Sequence, residues 1–153
     1  MKLLIDPHPS TAAEPFANSF SLPDGLIGLA DFKHAELVSS AEQFPFLWMR
    51  LRGPEGSIDF VVIEPGGIVG GYEPEIFASD AESLDVADPS EAMVLNIVTL
   101  DGQRPVSARV NLVGPIVINR RTRIGRQLVI ANYSSYDSAH ALVEASEQAA
   151  ASA

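Results

Sequence analysis

Aliphatic and polar residues alternate with a period of two in residues 106–112, which is the pattern of a half-buried β-strand. A Gly-Pro pair at 114–115 interrupts the run, and proline, which lacks a backbone N–H, favours a bend or a strand edge at that point. The apolar run resumes over 116–118, an arginine-rich turn follows at 120–126, and 127–130 returns as a strand. We therefore predict a bent hairpin over this whole stretch.

Further strands are predicted by alternating or continuous apolar runs at 18–22, 46–52, 58–63 and 93–100. A tight Gly-Pro-Glu-Gly connection joins the second and third of these strands into a hairpin. In the second strand, Trp48 and two arginines point away from the aliphatic face. This arrangement indicates either a binding surface or a second face that is covered as well, as in a barrel or a sandwich. Because tryptophan is mostly buried in proteins, we expect the covered face.

Helical signals are few. Asp31 is placed to cap a short helical turn over 32–37, and a short helix is predicted within 73–86, anchored by Ile76, Phe77 and Leu84. Asp137 or Ser138 is placed to cap a C-terminal helix, in which Ala139, Leu142, Val143, Ser146 and Ala149 share one face.

Together these elements predict an all-β fold. We expect one small β-barrel-like or sandwich domain over residues 1–153, with one or two short helices and a C-terminal helix. Residues 1–17 are expected to form a loosely attached N-terminal segment, and residues 149–153 a frayed tail.

The candidate chemistry is sparse. There is no cysteine, and the three histidines His8, His34 and His140 lie far apart, without the spacing of a metal site. Neither a phosphate-binding loop nor a nucleophile motif is present, so we predict no enzyme, no cofactor and no metal. Apolar runs stay well short of the roughly 20 residues of a membrane span. We expect a cytoplasmic protein without a membrane contact.

Charge is more informative than motifs. The net charge of −10 argues against direct binding of nucleic acid, which needs lysine and arginine. No basic residue occurs between Arg52 and Arg104, whereas four arginines fall within 120–126. We expect an acidic side opposite a small basic corner. The acidic side is either a docking face for a basic protein or a solvated surface, and the arginine turn is either a phosphate site or a solvated hairpin tip.

Several segments, in order, resemble those of the flagellar assembly factor FliW family. The strongest resemblance is at residues 108–136, where NLVGPIVIN followed by a basic turn and a Gly-x-Gln resembles the C-terminal signature of that family. Other matching segments are PDGLIGLADF, FPFLWM, FVVIEP, YEPEI and VLNIVT, so that the resemblance extends from about 22 to 142. The signature residues, to which we assign a mainly structural role, are Asn111, Pro115, Ile116, Asn119 and Gly125.

The resemblance implies a small barrel-like, non-enzymatic protein that works in a partner switch. Members of the family bind flagellin as cytoplasmic chaperones, and they bind the translational regulator CsrA, thereby relieving its repression of flagellin mRNA. Because CsrA-type proteins are small and basic, the resemblance implies that they would bind an acidic docking face of this chain by charge complementarity. The candidate partner-binding residues are the acidic side chains of the central segment: Glu73, Glu75, Asp80, Glu82, Asp85 and Asp88.

Two points stay open. Flagellin binding implies an apolar groove for an amphipathic helix, which the sequence does not locate, although the C-terminal helix could cover it. The alternative function is a small-ligand or RNA-binding β-barrel that uses the arginine turn together with Trp48. We expect a monomer.

Overall fold

The computed structural model describes residues 2–4, 18–39, 42–101 and 107–142. Within these residues the chain is mainly β-structure with one short α-helix, α1 at Ala78–Ser83, and two short 3-10 turns, Pro89–Glu91 and Tyr133–Ser135. The strands are β1 Lys2–Leu4, β2 Ser19–Ser21, β3 His34–Ser39, β4 Leu47–Gly53, β5 Gly56–Ile63, β6 Glu75–Phe77, β7 Ala92–Asp101, β8 Ser107–Val110, β9 Ile116–Asn119, β10 Gly125–Gln127 and β11 His140–Ala141. The predicted all-β fold is confirmed.

The main sheet is antiparallel and runs in the order β10-β9-β7-β5-β4-β3-β2. Its long strand β7 pairs with β9 through its first half and with β8 through its second half, and β8 also pairs with β11. The two ends of the sheet meet, because the N–H of Ser21 donates to the carbonyl of Arg123 at 2.8 Å and Ser21 bridges to Ile124. The sheet is therefore curled into a barrel-like shape.

The core explains why some strands read as continuous apolar runs. Met93 and Leu95 of β7 and Ile118 of β9 point into the curled sheet, where they join a cluster that includes Met49 and Leu51. The alternate residues of these two strands face outward into a second buried cluster under α1. The members of this second cluster are Ile76, Ala81, Leu84, Val86, Ala92, Val94, Val117 and Leu128. Both faces of β7 and β9 are thus covered, so alternation is lost there.

The hairpin of β4 and β5 forms as predicted, with Gly53 opposite Gly56. The expected cover over its second face is wrong. Trp48 is 40% exposed, and its indole N–H donates to Gln43 Oε1 at 2.9 Å. The arginines on this face pair across strands instead, Arg50 with Asp59 and Arg52 with Glu36.

Two predicted helices are strands. Residues 34–39 form β3, because Ala35 and Leu37 pack into the interior of the sheet between β2 and β4. His140 and Ala141 form β11 opposite β8, so the helix predicted to begin at Asp137 or Ser138 is absent up to residue 142. Its remaining positions, Val143, Ser146 and Ala149, lie outside the described residues, as does the tail at 149–153.

Three further predictions differ from the structure in part. The returning strand predicted at 127–130 overlaps β10, Gly125–Gln127, only at Gln127, and residues 128–130 are not in a strand. The helix predicted within 73–86 is α1, with Ile76 and Leu84 buried as expected but Phe77 43% exposed. The N-terminal segment expected to be loosely attached contributes β1, which pairs with β6, and residues 5–17 lie outside the described ranges. No helix among the described residues is long and apolar enough to cross a membrane.

A buried tyrosine network joins the main sheet to the C-terminal part of the chain. The hydroxyl of Tyr72, 4% exposed, donates to the carbonyl of Leu112 at 2.6 Å and accepts from Asn96 Nδ2 at 3.1 Å. Burial raises the pKa of Tyr72 to about 12, so the hydroxyl stays protonated as a donor. The ring packs edge-on against Tyr136, with centroids 5.0 Å apart.

Replacing Tyr72 by phenylalanine is expected to lower the free energy of unfolding by about 1–3 kcal/mol, because it leaves a buried carbonyl and a buried amide each short of a partner. Urea denaturation measures the loss. Tyr133→Phe is the matched control, since Tyr133 is 57% exposed and should change stability little. Equal stability of the two variants would contradict the network's role.

Candidate functional site

The acidic residues singled out in the sequence all lie on one continuous segment, which runs from the loop before β6, through α1, to the 3-10 turn before β7. Ala81, Leu84 and Val86 anchor the segment, because they are buried against the outer face of β7 and β9. The carboxylates therefore lie on the solvent side of an element whose apolar side faces the sheet. We call residues 73–91 the acidic segment.

The beginning of the acidic segment is held by the C-terminal part of the chain. The N–H of Glu73 donates to the Tyr136 hydroxyl at 2.8 Å, and the N–H of Glu75 donates to Asn132 Oδ1 at 2.9 Å. Asn132 Nδ2 in turn donates to the carbonyl of Glu73 at 2.9 Å. The backbone that carries these two glutamates is thus fixed, while the side chain of Glu73 is exposed and that of Glu75 half-buried.

Asn119 fixes the middle of the segment to the main sheet. Its side chain is fully buried, and Nδ2 donates to the carbonyls of Leu84 at 2.8 Å and Asp85 at 3.0 Å. Its Oδ1 accepts from the N–H groups of Arg121 at 2.8 Å and Thr122 at 3.1 Å. One side chain therefore joins the end of α1 to the arginine turn.

The arginine turn lies beside the acidic segment, and the expected opposite placement is wrong. Arg121 pairs with Asp85 at 2.6 Å, and Arg126 lies 3.7 Å from Asp80. Arg126 also donates to Ser83 Oγ at 2.6 Å and pairs with Asp24 at 3.1 Å. The Arg121–Asp85 side chains are 64% and 77% exposed, so that pair orients the two charges more than it stabilises the fold.

The six candidate carboxylates consequently divide into two groups. Asp80 and Asp85 face arginines, and Asp88 caps the 3-10 turn by accepting from the N–H and hydroxyl of Ser90, each at 2.9 Å. Those hydrogen bonds hold the pKa of Asp88 below its usual value. Glu73, Glu75 and Glu82 have no cationic partner among the described residues. Of these, Glu73 and Glu82 are exposed and available to a partner.

The signature residues have structural contacts. Asn111 Oδ1 accepts from the N–H groups of Val113 and Gly114, so it satisfies the backbone at the Gly-Pro corner. Pro115 and Ile116 are buried, and the carbonyl of Pro115 accepts from Leu128. A Cβ on Gly125 would lie 2.8 Å from the side chain of Ile118, so the position requires glycine for close packing. No sequence signal indicated that Asn119 would reach α1.

Glu64 lies half-buried at the end of β5, and desolvation raises its pKa above the ordinary value of 4.5, partly opposed by Arg120. A raised pKa in the folded state means that the folded chain binds more protons than the unfolded chain above 4.5. Stability from this group is therefore present at lower pH and is lost as pH rises through the folded-state pKa.

Replacing Glu64 by glutamine is expected to remove the loss of stability that ionisation of Glu64 causes as pH rises. The variant should exceed the wild type in free energy of unfolding at about pH 7 and come close to it at about pH 3, where the carboxyl is mostly protonated in both states. Urea denaturation at both pH values measures the difference, with the exposed Glu55→Gln as control. If the free energies of unfolding of Glu64→Gln and the wild type differed by the same amount at the two pH values, the raised pKa of Glu64 would be contradicted.

Trp48 and the arginine turn, which the alternative ligand site would need together, have separate contacts in the structure. Trp48 lies in β4 with Gln43 as its partner, whereas Arg121 and Arg126 contact the acidic segment. Within the described residues, no group of three His, Asp or Glu side chains is placed to hold a metal ion.

Comparison with known proteins places the chain in a family. The family model described as FliW protein matches residues 10–142. A flagellar assembly factor FliW of Natranaerobius thermophilus is 34% identical over 122 residues, which is 80% of each chain, and one of Leptospira interrogans is 33% identical over 114 residues, covering 74% of this chain and 75% of the relative. A crystal structure of the flagellar assembly factor FliW superposes with a TM-score of 0.71 at 24% identity, over 93% of this chain and 96% of that one, and shows the same fold. The chain belongs to the FliW family.

Proposed function

We propose that this protein is a cytoplasmic flagellar assembly factor whose acidic segment binds a basic, CsrA-type translational regulator. The observation that supports the proposal is the display of the carboxylates on one exposed segment, held in place by Asn119, Asn132 and Tyr136. A preformed acidic surface attracts a basic protein and orients it on approach. Binding, rather than catalysis, is the activity that this arrangement favours.

Two residues of the acidic segment are proposed to contribute most to binding of the regulator. Glu73 and Glu82 project from fixed backbone without a described cationic partner, so their negative charge is not locally compensated. Asp80 and Asp85 would have to exchange Arg126 and Arg121 for a cation of the partner. We therefore assign the larger part of the attraction to Glu73 and Glu82.

The second part of the proposal is a switch between the regulator and flagellin, the partners that the resemblance to this family implies. Of the stretch predicted as a C-terminal helix that could cover a flagellin groove, residues 137–139 form a loop and turn and His140–Ala141 form β11. The flagellin site is therefore proposed without a location, and the switch requires only that the two partners exclude each other.

A competition titration tests the proposed function. The protein is titrated calorimetrically with the CsrA-type regulator and with flagellin from the same cell, each alone and then in the presence of the other. We expect saturable binding of each partner and mutual weakening when both are present. Absence of binding to the regulator would reject the proposal, and independent binding of both partners would reject the switch. Saturable binding of a phosphate-bearing ligand or RNA, monitored by Trp48 fluorescence, would favour the alternative.

A further inference from the structure

The strand β6, within the acidic segment, has two different edges. One edge is attached to the protein body, because the N–H of Glu75 donates to Asn132 Oδ1 at 2.9 Å and its carbonyl accepts from Ala131 at 2.6 Å. In a strand, successive residues direct their N–H and C=O groups to opposite edges. The backbone groups of Ile76 therefore point to the other edge, and β1 covers that edge with Leu3 directly opposite Ile76.

β1 is the short strand that occupies this edge of β6. It has three residues, pairs only with β6, and forms with it a two-stranded sheet separate from the main one. Leu3 lies opposite Ile76, whose backbone groups face β1, so a substitution at Leu3 acts on the centre of this pairing. A two-stranded pairing of this length is marginally stable by itself, so the edge can be uncovered without disturbing the main sheet.

The surroundings of this edge indicate what else would fit it. Glu73 and Glu75 precede Ile76, Asp80 follows it in α1, and no basic residue occurs from 53 to 103. The internal occupant has the sequence Lys-Leu-Leu, a cation followed by two aliphatic residues. An extended segment of a partner with the same character would add backbone hydrogen bonds to the charge attraction.

We propose that the edge of β6 covered by β1 is a docking edge for an extended basic segment of the regulator, and that β1 competes with that segment. This inference rests on the proposed function, because it assigns a binding mode to the same acidic segment. Binding then requires β1 to leave, so the apparent affinity is the intrinsic affinity reduced by the fraction of molecules with an open edge.

Leu3→Pro in the full chain tests the competition, because proline removes the Leu3 N–H and leaves the rest of the protein unchanged. Leu3→Ala is the matched control, since it keeps the N–H. If the edge is open in about a tenth of the molecules, Leu3→Pro should bind the regulator about tenfold more tightly than the wild type and Leu3→Ala. In the same variant, hydrogen exchange at the Ile76 amide, followed by NMR, should accelerate in the free protein and slow again when the regulator is added.

Equal affinity of Leu3→Pro and Leu3→Ala, or an Ile76 amide that stays unprotected in the complex, would overturn the inference. A synthetic peptide with residues 1–6 of this chain provides a readout that does not depend on the regulator. It should protect the Ile76 amide of Leu3→Pro more than the same peptide with Lys2→Glu does. If no variant binds the regulator, the proposed function fails, while lack of protection by the peptide rejects β6 as a docking edge.

Discussion

Replacing Asn119 by alanine is expected to lower the free energy of unfolding by about 3–4 kcal/mol, the largest effect of a single substitution that we predict. The side chain is fully buried and makes four hydrogen bonds, two to carbonyls at the end of α1 and two to N–H groups of the arginine turn. Alanine would leave the buried carbonyl of Leu84 without this donor, and each such loss costs about 1–3 kcal/mol.

Urea denaturation of Asn119→Ala measures this effect, with Asn18→Ala as control because Asn18 is exposed. The substitution should also weaken binding of the regulator, since Asn119 positions the acidic segment relative to the turn. Asn119→Asp, which keeps the acceptor oxygen but loses the donor to Leu84 and Asp85, should be destabilised as well. A loss below about 1 kcal/mol for Asn119→Ala would show that the segment is held by its apolar contacts alone.

Reversing the two uncompensated charges, Glu73→Lys together with Glu82→Lys, is expected to weaken binding of the regulator at least about tenfold, which corresponds to about 1.4 kcal/mol. The reason is that each exposed glutamate would become a like charge facing a basic partner. Because both side chains are exposed and make no hydrogen bond to other described residues, the free energy of unfolding should change by less than about 0.5 kcal/mol. Isothermal titration and urea denaturation measure the two quantities.

The matched control is the double variant Glu42→Lys with Glu55→Lys. Both residues are exposed and lie outside the acidic segment, and the change in net charge is the same. This control should keep an affinity within about threefold of the wild type, because only long-range, screened attraction is lost. An equal loss in both double variants would mean that net charge, rather than the acidic segment, determines binding.

Local sequence patterns correctly predicted the elements that hydrophobic periodicity and turn residues define. The alternation in β4 and the apolar run of β7 each identified a strand, and the turn at 53–56 identified the hairpin of β4 and β5. Asn111 is assigned a mainly structural role as a signature residue, and at the Gly-Pro corner its side chain accepts from the N–H groups of Val113 and Gly114.

The failures arise where distant pairing outweighs local preference. Residues 32–37 carry a plausible cap in Asp31, yet β3 is selected by partners on both sides, β2 and β4. The same holds for β11, which is a strand because β8 offers it an edge. Neither partner can be identified from the local sequence.

The candidate site could be predicted in its residues but not in its geometry. The run of carboxylates without a basic residue is visible in the sequence, whereas the contacts of Arg121 with Asp85 and of Arg126 with Asp80 join residues 36 and 46 positions apart. No periodicity relates such positions. The structure thereby separates compensated carboxylates from the uncompensated Glu73 and Glu82.

The salt dependence of regulator binding tests the central claim, attraction through the acidic segment, most directly. The wild type and the Glu73→Lys/Glu82→Lys variant are titrated with the CsrA-type regulator over a series of ionic strengths. We predict that the wild-type affinity falls steeply with added salt, and that the variant is both weaker and less sensitive to salt, because the attractive charges that salt screens have been reversed. Equal affinity and equal salt dependence of the two proteins would contradict the claim.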